Sequence, residues 1–198
     1  MSKLLKSIAA GILIGIAAHM FSQYSLIGEV EKILVAVLFS GALCSIKVLK
    51  LNLFTGSIGY LQFNKPDILK NLIILLGNLI GISIVAVFCI SPEAANIFQN
   101  KIADINIVMI LMKSVFCGIL MYSAVEIFDK HSVVGILMMV PMFLLAGFEH
   151  SIANSFYLIV FLIKNFNFSN LLTSIVFLVI SILGNAIGAI TFRRITKI

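Results

Sequence analysis

Gly147-Phe148-Glu149-His150-Ser151-Ile152-Ala153-Asn154 interrupts a long apolar run, residues 133–163, with a glutamate, a histidine, a serine and an asparagine. Polar side chains in such a run are costly unless they face a cavity or a partner. An ionisable group in the middle of a membrane span indicates, by default, a functional site. His150 is therefore the first candidate functional residue.

The composition indicates an integral membrane protein. Of the 198 residues, 61% are hydrophobic and 11% are charged, which is far more apolar than a water-soluble domain of this size. The net charge of +6 does not suggest nucleic-acid binding, because the basic residues lie mostly in short loops and at the ends. Cys44, Cys89 and Cys117 lie in apolar runs, so we predict no disulfide, metal site or cofactor.

Six apolar segments follow one another along the chain, at about 4–22, 31–61, 71–91, 105–128, 132–163 and 171–192. A membrane span needs about 20 residues, so the second and fifth segments are too long for one straight helix. Each also has polar residues in its interior. We predict that both are interrupted helices, whose non-helical residues are covered by protein or line a water-filled cavity.

A repeat supports this architecture. Gly77-Asn78-Leu79-Ile80-Gly81 recurs 107 residues later as Gly184-Asn185-Ala186-Ile187-Gly188, and the two interruptions, at Thr55 and His150, lie 95 residues apart. We predict one membrane domain, 1–198, built of repeats at about 1–100 and 101–198. Three crossings in each half insert the halves in opposite orientations, which predicts a binding site at the midplane. The alternative is that the glycines serve helix packing alone.

The lysine and arginine distribution predicts the orientation. With the N-terminus inside, eight basic residues fall in inner loops and ends: Lys3, Lys6, Lys65, Lys70, Lys130, Arg193, Arg194 and Lys197. Three fall in outer loops: Lys32, Lys101 and Lys164. We therefore expect a multi-pass protein of the cell membrane with both termini in the cytoplasm.

The interruptions resemble the two break motifs of the formate–nitrite transporter family, the first being Asn52-Leu53-Phe54-Thr55-Gly56 and the second 147–154. The repeated Gly-Asn-x-x-Gly and Cys117-Gly118-Ile119-Leu120 are also similar. The resemblance implies an all-α, aquaporin-like protomer of six transmembrane helices in an inverted 3+3 repeat. It further implies a homopentamer with one pore per protomer, passage of formate, nitrite or hydrosulfide, and no enzymatic activity.

The resemblance also implies roles for individual residues. The family's loop threonine falls on Thr55 and its central histidine on His150, with Glu149 and Asn154 beside it. The apolar pore constrictions fall on Phe39, Leu43, Leu53, Phe54 and Phe143.

The chain departs from the family pattern at several charged positions. Asn52 stands where an acidic residue is usual, and Lys47 and Lys50 replace apolar or small residues. A family lysine falls on Asn106, unless a shift of the helix lets Lys101 or Lys113 replace it.

The spacing predicts how these side chains line a path. Phe39 and Leu43 share one helix face, and Phe143, Gly147 and His150 share another if that helix runs so far. An isolated carboxylate in a low-dielectric medium costs tens of kcal/mol, whereas protonating a weak acid at neutral pH costs about 4 kcal/mol. We therefore expect the anion to gain a proton near His150, whose side-chain type exchanges protons at physiological pH.

Two roles stay open at this point. Thr55 hydrogen-bonds the anion or His150, caps the helix that follows the interruption, or does both. Glu149 braces the broken backbone, or it orients the imidazole.

Other functions fit less well. An aquaporin-like channel for a small neutral solute is closest in architecture, but neither interruption carries an Asn-Pro-Ala motif. Proton symport and passive anion flow are both compatible with the sequence. An intramembrane serine peptidase would need Gly-x-Ser-Gly, which 56–59 only approximates, and a haem protein would need a second deep histidine.

Overall fold

A computed structural model describes residues 2–103 and 105–197, and within these ranges the chain forms nine α-helices, one short 3-10 turn and no strand. The helices are α1 Lys3–Tyr24, α2 Glu29–Val48, α3 Phe54–Ser57, α4 Lys65–Phe88, α5 Pro92–Ile102, α6 Ile107–Lys130, α7 Val134–Leu145, α8 Ser151–Lys164 and α9 Phe168–Thr196, and the 3-10 turn is Ile58–Tyr60. The predicted all-helical class is confirmed.

Four of these helices are long and apolar enough to cross a membrane, α1, α4, α6 and α9, with 22, 24, 24 and 29 residues. They pack mainly as two pairs, α1 with α4 and α6 with α9. Many large hydrophobic side chains on their outer faces are exposed, which suits contact with lipid rather than water. The helices therefore form a multi-pass membrane protein.

The helix pairs approach until their backbones touch, and glycine makes that possible. A Cβ added at Gly81 would lie 2.1 Å from the carbonyl oxygen of Ile8, and one added at Gly188 would lie 2.0 Å from that of Val115. Real side chains do not fit at such distances, so each glycine permits close packing of its helix pair.

Two junctions between helices carry the polar motifs. Residues 49–53 separate α2 from α3, and residues 146–150 separate α7 from α8. Gly147 has a φ of +65°, a left-handed conformation that glycine adopts without steric cost. The condition under which Phe143, Gly147 and His150 would share one helix face is not met, because α7 ends at Leu145 and the chain turns at Gly147.

Helix α5 is absent from the predicted segments, because it is too polar to count as an apolar run. Its start nevertheless carries ordinary signals: the Ser91 side chain accepts a hydrogen bond from the Ala94 N–H, and Pro92 occupies the first turn. The Phe98 ring packs against the rings of Phe161 and Phe177, with centroids 5.5 and 5.2 Å away. These contacts hold α5 against α8 and α9.

Candidate functional site

Asn78, on α4, fixes the first junction. Its Nδ2 donates to the carbonyl oxygens of Ser7 and Asn52 at 2.8 and 2.9 Å, and its Oδ1 accepts from the Phe54 N–H at 2.8 Å. Asn78 is fully buried. A buried amide with its hydrogen bonds satisfied positions the chain specifically, so this side chain ties α1, the junction and the start of α3 together.

Asn185, on α9, makes the same set of bonds to the second junction. Its Nδ2 donates to the carbonyl oxygens of Ser114 and Glu149, both at 2.8 Å, and its Oδ1 accepts from the Ser151 N–H at 2.8 Å. The repeated asparagine of the sequence therefore has the same local role in both copies.

These bonds correct the register of the two junctions. In the first junction Asn52 and Phe54 make the bonds to asparagine that Glu149 and Ser151 make in the second. The counterpart of His150 in the first junction is therefore Leu53 and not Thr55. The reason is local, because the asparagine Oδ1 binds the first N–H of each following helix and thereby sets the register.

Thr55 and His150 meet between the junctions. Thr55 Oγ1 lies 2.9 Å from His150 Nε2, and the two residues are 1% and 2% exposed. The Ala153 N–H donates to His150 Nδ1 at 3.0 Å. A neutral imidazole has one donor and one acceptor nitrogen, so Nε2 carries the hydrogen and donates to Thr55.

This assignment determines what the Thr55 hydroxyl can do. Its oxygen accepts from His150, and among the described residues no other hydrogen bond of this hydroxyl is found. A hydroxyl has one donor of its own. The Thr55 proton is therefore available to an acceptor that enters the site.

His150, rather than Thr55, is the helix cap of the pair. His150 precedes the first residue of α8 and accepts from Ala153 through Nδ1. The alternative that Thr55 caps the helix after the interruption is wrong, because Leu53 holds that position and Thr55 lies within α3. The Asn78 amide already satisfies the first N–H of α3.

One aromatic ring stacks on His150, and a second ring packs against the first. The Phe143 ring stacks on the imidazole with centroids 5.3 Å apart, and the Phe39 ring meets Phe143 edge-on at 6.2 Å. Leu43, Leu53 and Phe54 are buried as well. Phe143 lies in the last turn of α7 and His150 at the end of the junction, and a local turn brings them together: the Gly147 N–H donates to the Leu144 carbonyl at 3.2 Å and the Phe148 N–H to the Phe143 carbonyl at 2.9 Å.

The side chains of Phe39, Leu43, Leu53, Phe54 and Phe143 are here named the apolar layer. Cavities open on both sides of it. One, here named the Lys47 cavity, has about 340 Å³ and a lining that includes Leu43, Lys47, Asn52, Leu53, Lys70 and Asp129. The other, the His150 cavity, has about 260 Å³ and a lining that includes Lys32, Lys101, Phe143, Gly147, His150 and Asn154. Lysines line both cavities, and each of them is paired with a carboxylate: Lys32 with Glu29, Lys47 with Asp129, Lys70 with Asp67 and Lys101 with Glu149.

Glu149 braces the second junction. Its Oε2 accepts from Asn154 Nδ2 at 2.8 Å and from Lys101 Nζ at 2.6 Å. Its side chain is 6% exposed and that of Lys101 is 22% exposed. No hydrogen bond from Glu149 to the imidazole is found among the described residues, so the geometry favours the bracing role.

Asn106 stands where the family resemblance implies a lysine. Asn106 caps α6, its side chain accepting from the Met109 N–H at 3.0 Å. The cation near Glu149 comes instead from Lys101, in the last turn of α5. The sequence alone left Lys101 and Lys113 as alternatives, because the caps at Ser91 and Pro92 mark where α5 starts and not which lysine reaches Glu149.

The chain matches the family model described as formate/nitrite transporter over residues 1–197. Among solved structures, an FNT family ion channel is similar with a TM-score of 0.85 and 19% sequence identity, over 98% of this chain and 88% of that chain. At that identity the structural likeness bears on the fold alone. No curated protein sequence matches this chain.

Proposed function

This chain belongs to the formate/nitrite transporter family, and we propose that it carries small monovalent weak-acid anions, formate, nitrite or hydrosulfide, across a cell membrane. The observation that carries the proposal is the buried hydrogen bond between Thr55 and His150. It lies beside apolar rings, with a lysine-lined cavity on either side.

We propose an aquaporin-like protomer of six transmembrane helices, in which α2 with α3 and α7 with α8 form the interrupted second and fifth. The matching bonds of Asn78 and Asn185 support an inverted repeat of two halves within one membrane domain, 1–198. We further propose a homopentamer with both termini in the cytoplasm. The Lys47 cavity then opens to the cytoplasm, because Asn52 in its lining lies against Lys3.

The apolar layer selects the neutral form of the solute. Leu43 and Leu53 face one cavity and Phe143 faces the other, and such side chains cannot replace the water around a charged anion. A weak acid avoids this cost by taking a proton. We propose that the anion enters a cavity and accepts a hydrogen bond from the Thr55 hydroxyl. It then takes the proton that His150 has gained from water, which leaves the imidazole neutral, and crosses as the neutral acid.

His150 is suited to pass a proton on rather than to keep it. A second proton on the ring would occupy Nδ1 and displace the Ala153 N–H that this nitrogen now accepts. The imidazolium would therefore leave the start of α8 without its cap. A ring that gains a proton from water is destabilised here, and it returns the proton to a nearby anion.

The test is transport in liposomes that contain the purified protein. Formate, nitrite and hydrosulfide are supplied outside in turn, and internal pH is recorded together with anion uptake. Proton uptake in step with formate supports symport, and formate flux without proton movement supports a passive channel. Uptake of glycerol but of none of the three anions would contradict the proposal and favour a neutral-solute channel.

A further inference from the structure

Lys47 stands between the apolar layer and one opening of the path. It follows Phe39 and Leu43 at intervals of four residues, so the three side chains lie along one face of α2. Phe39 and Leu43 are buried, whereas the Lys47 side chain is 22% exposed. An anion that crosses the Lys47 cavity toward Leu43 passes this ammonium group.

The ammonium group is already occupied by a carboxylate of the chain. Lys47 Nζ lies 2.7 Å from both oxygens of Asp129, in the last turn of α6. The Asp129 side chain is 47% exposed. The pair therefore joins α2 to α6 beside the cavity while remaining open to water.

Such a pair is easily exchanged. Ion pairs that face water contribute little net stability, since hydration and screening offset the attraction. The carboxylate of Asp129 also presents the same group as formate. A small anion in the cavity can thus replace Asp129 at Lys47 with little loss of interaction.

Neighbouring charges do not compete for this exchange. Lys70, also in the cavity lining, is paired with Asp67 at 3.2 Å. Glu126, one turn before Asp129 on α6, is paired with Lys130 at 2.7 Å and hydrogen-bonded to the Tyr60 hydroxyl. Asp129 is consequently the carboxylate that holds Lys47.

We propose that Lys47 is an anion-docking residue of the Lys47 cavity and that Asp129 is its resident competitor. A small monovalent anion, carboxylate or otherwise, displaces the Asp129 carboxylate from Lys47 before it meets Leu43. The inference rests on the proposed transport function and adds a difference between the two sides of the membrane. Anions loaded from the Lys47 side compete with Asp129, and anions loaded from the His150 side do not.

The experiment measures the formate concentration for half-maximal flux, separately from each side, in oriented proteoliposomes. Asp129→Asn should lower it about threefold for loading from the Lys47 side, because the competitor is weakened. Lys47→Met and Lys47→Gln should each raise it about threefold from that side. Loading from the His150 side should stay within about twofold of the wild-type value in all variants.

Lys50→Asn is the matched control. It removes one positive charge three residues away, from an exposed side chain whose backbone φ of 52° asparagine tolerates. Half-maximal concentrations for this variant should remain close to those of the wild type. A shift as large as that of Lys47→Met would mean that net charge at the opening, and not docking at Lys47, sets the loading.

The double variant Lys47→Met/Asp129→Asn decides between competition and simple repulsion. Competition predicts that it behaves as Lys47→Met alone, because Asp129 then has no site to block. If Asp129→Asn still lowers the half-maximal concentration when residue 47 is methionine, the inference is overturned. A wild-type protein that carries none of the three anions would overturn the proposed function itself. If the wild-type protein carries formate but the variants have the same half-maximal concentration as the wild type, this inference alone is overturned.

Discussion

The Thr55 hydroxyl oxygen and the His150 Nε2 atom lie 2.9 Å apart, although 95 positions separate the two residues in sequence. Thr55 lies just after the first helix junction, which Asn78 holds in place, and His150 is the last residue of the second, which Asn185 holds. The two helix junctions thus act as one unit, in which the histidine caps a helix and donates to the threonine. The threonine proton is left for the solute.

Thr55→Val removes the hydroxyl while keeping the shape of the side chain. The His150 Nε2–H then has no acceptor and the anion has no donor. Leaving one buried polar group unsatisfied costs about 1–3 kcal/mol, so formate flux should fall about tenfold or more. Thr55→Ser restores the hydroxyl and should retain most of the flux. Flux is measured in liposomes at equal protein content, and native flux in Thr55→Val would show that the hydroxyl is dispensable.

Lys101→Met leaves the Glu149 carboxylate, 6% exposed, without its cation. Breaking such a pair should lower the free energy of unfolding by about 3 kcal/mol, the lower end of the range for buried pairs. Adding Glu149→Gln removes the uncompensated charge and should recover part of that loss. Thermal unfolding of the detergent-solubilised protein tests both, and a double variant less stable than Lys101→Met would contradict the pairing described here.

Gly188→Ala places a methyl group 2.0 Å from the Val115 carbonyl oxygen. The α6–α9 pair must separate to admit it, at a cost of about 1–3 kcal/mol or more. Gly41→Ala is the matched control, since a Cβ at Gly41 meets no heavy atom of the described residues within 4 Å. This control lies within α2 and should be neutral or stabilising by up to about 1 kcal/mol. Equal thermal stability of the two variants would contradict the close packing.

His150→Asn and His150→Ala separate the capping role of the histidine from its chemistry. Asparagine is a good N-cap and alanine a poor one, so His150→Ala should be less stable by about 1 kcal/mol. Thermal unfolding measures the difference. Similar stabilities would mean that the Nδ1 bond to Ala153 contributes little to α8.

The sequence predicts the parts of this molecule that depend on hydrophobicity and on local motifs. The apolar segments predict the helical membrane class, and the repeated asparagines mark the two residues that hold the helix junctions. The pairing of Thr55 with His150 comes from the family resemblance, since no local rule joins residues so far apart in sequence.

Other features depend on contacts that a linear pattern does not encode. Phe143 stacks on His150 because a local turn at Gly147 follows α7, not because a helix continues. Lys101 reaches Glu149 from α5, which is too polar to appear among the apolar segments. The carboxylate partner of Lys47 likewise lies 82 positions away, on another helix.

The most direct measurement is formate-coupled proton uptake by the wild-type protein and by His150→Asn, in liposomes, across pH 5 to 8. The neutral-acid route predicts about one proton per formate and a wild-type flux that rises as pH falls, because more of the weak acid is protonated. His150→Asn should remain folded and lose most of this flux. Formate uptake without proton movement, or an unchanged pH dependence in His150→Asn, would contradict it.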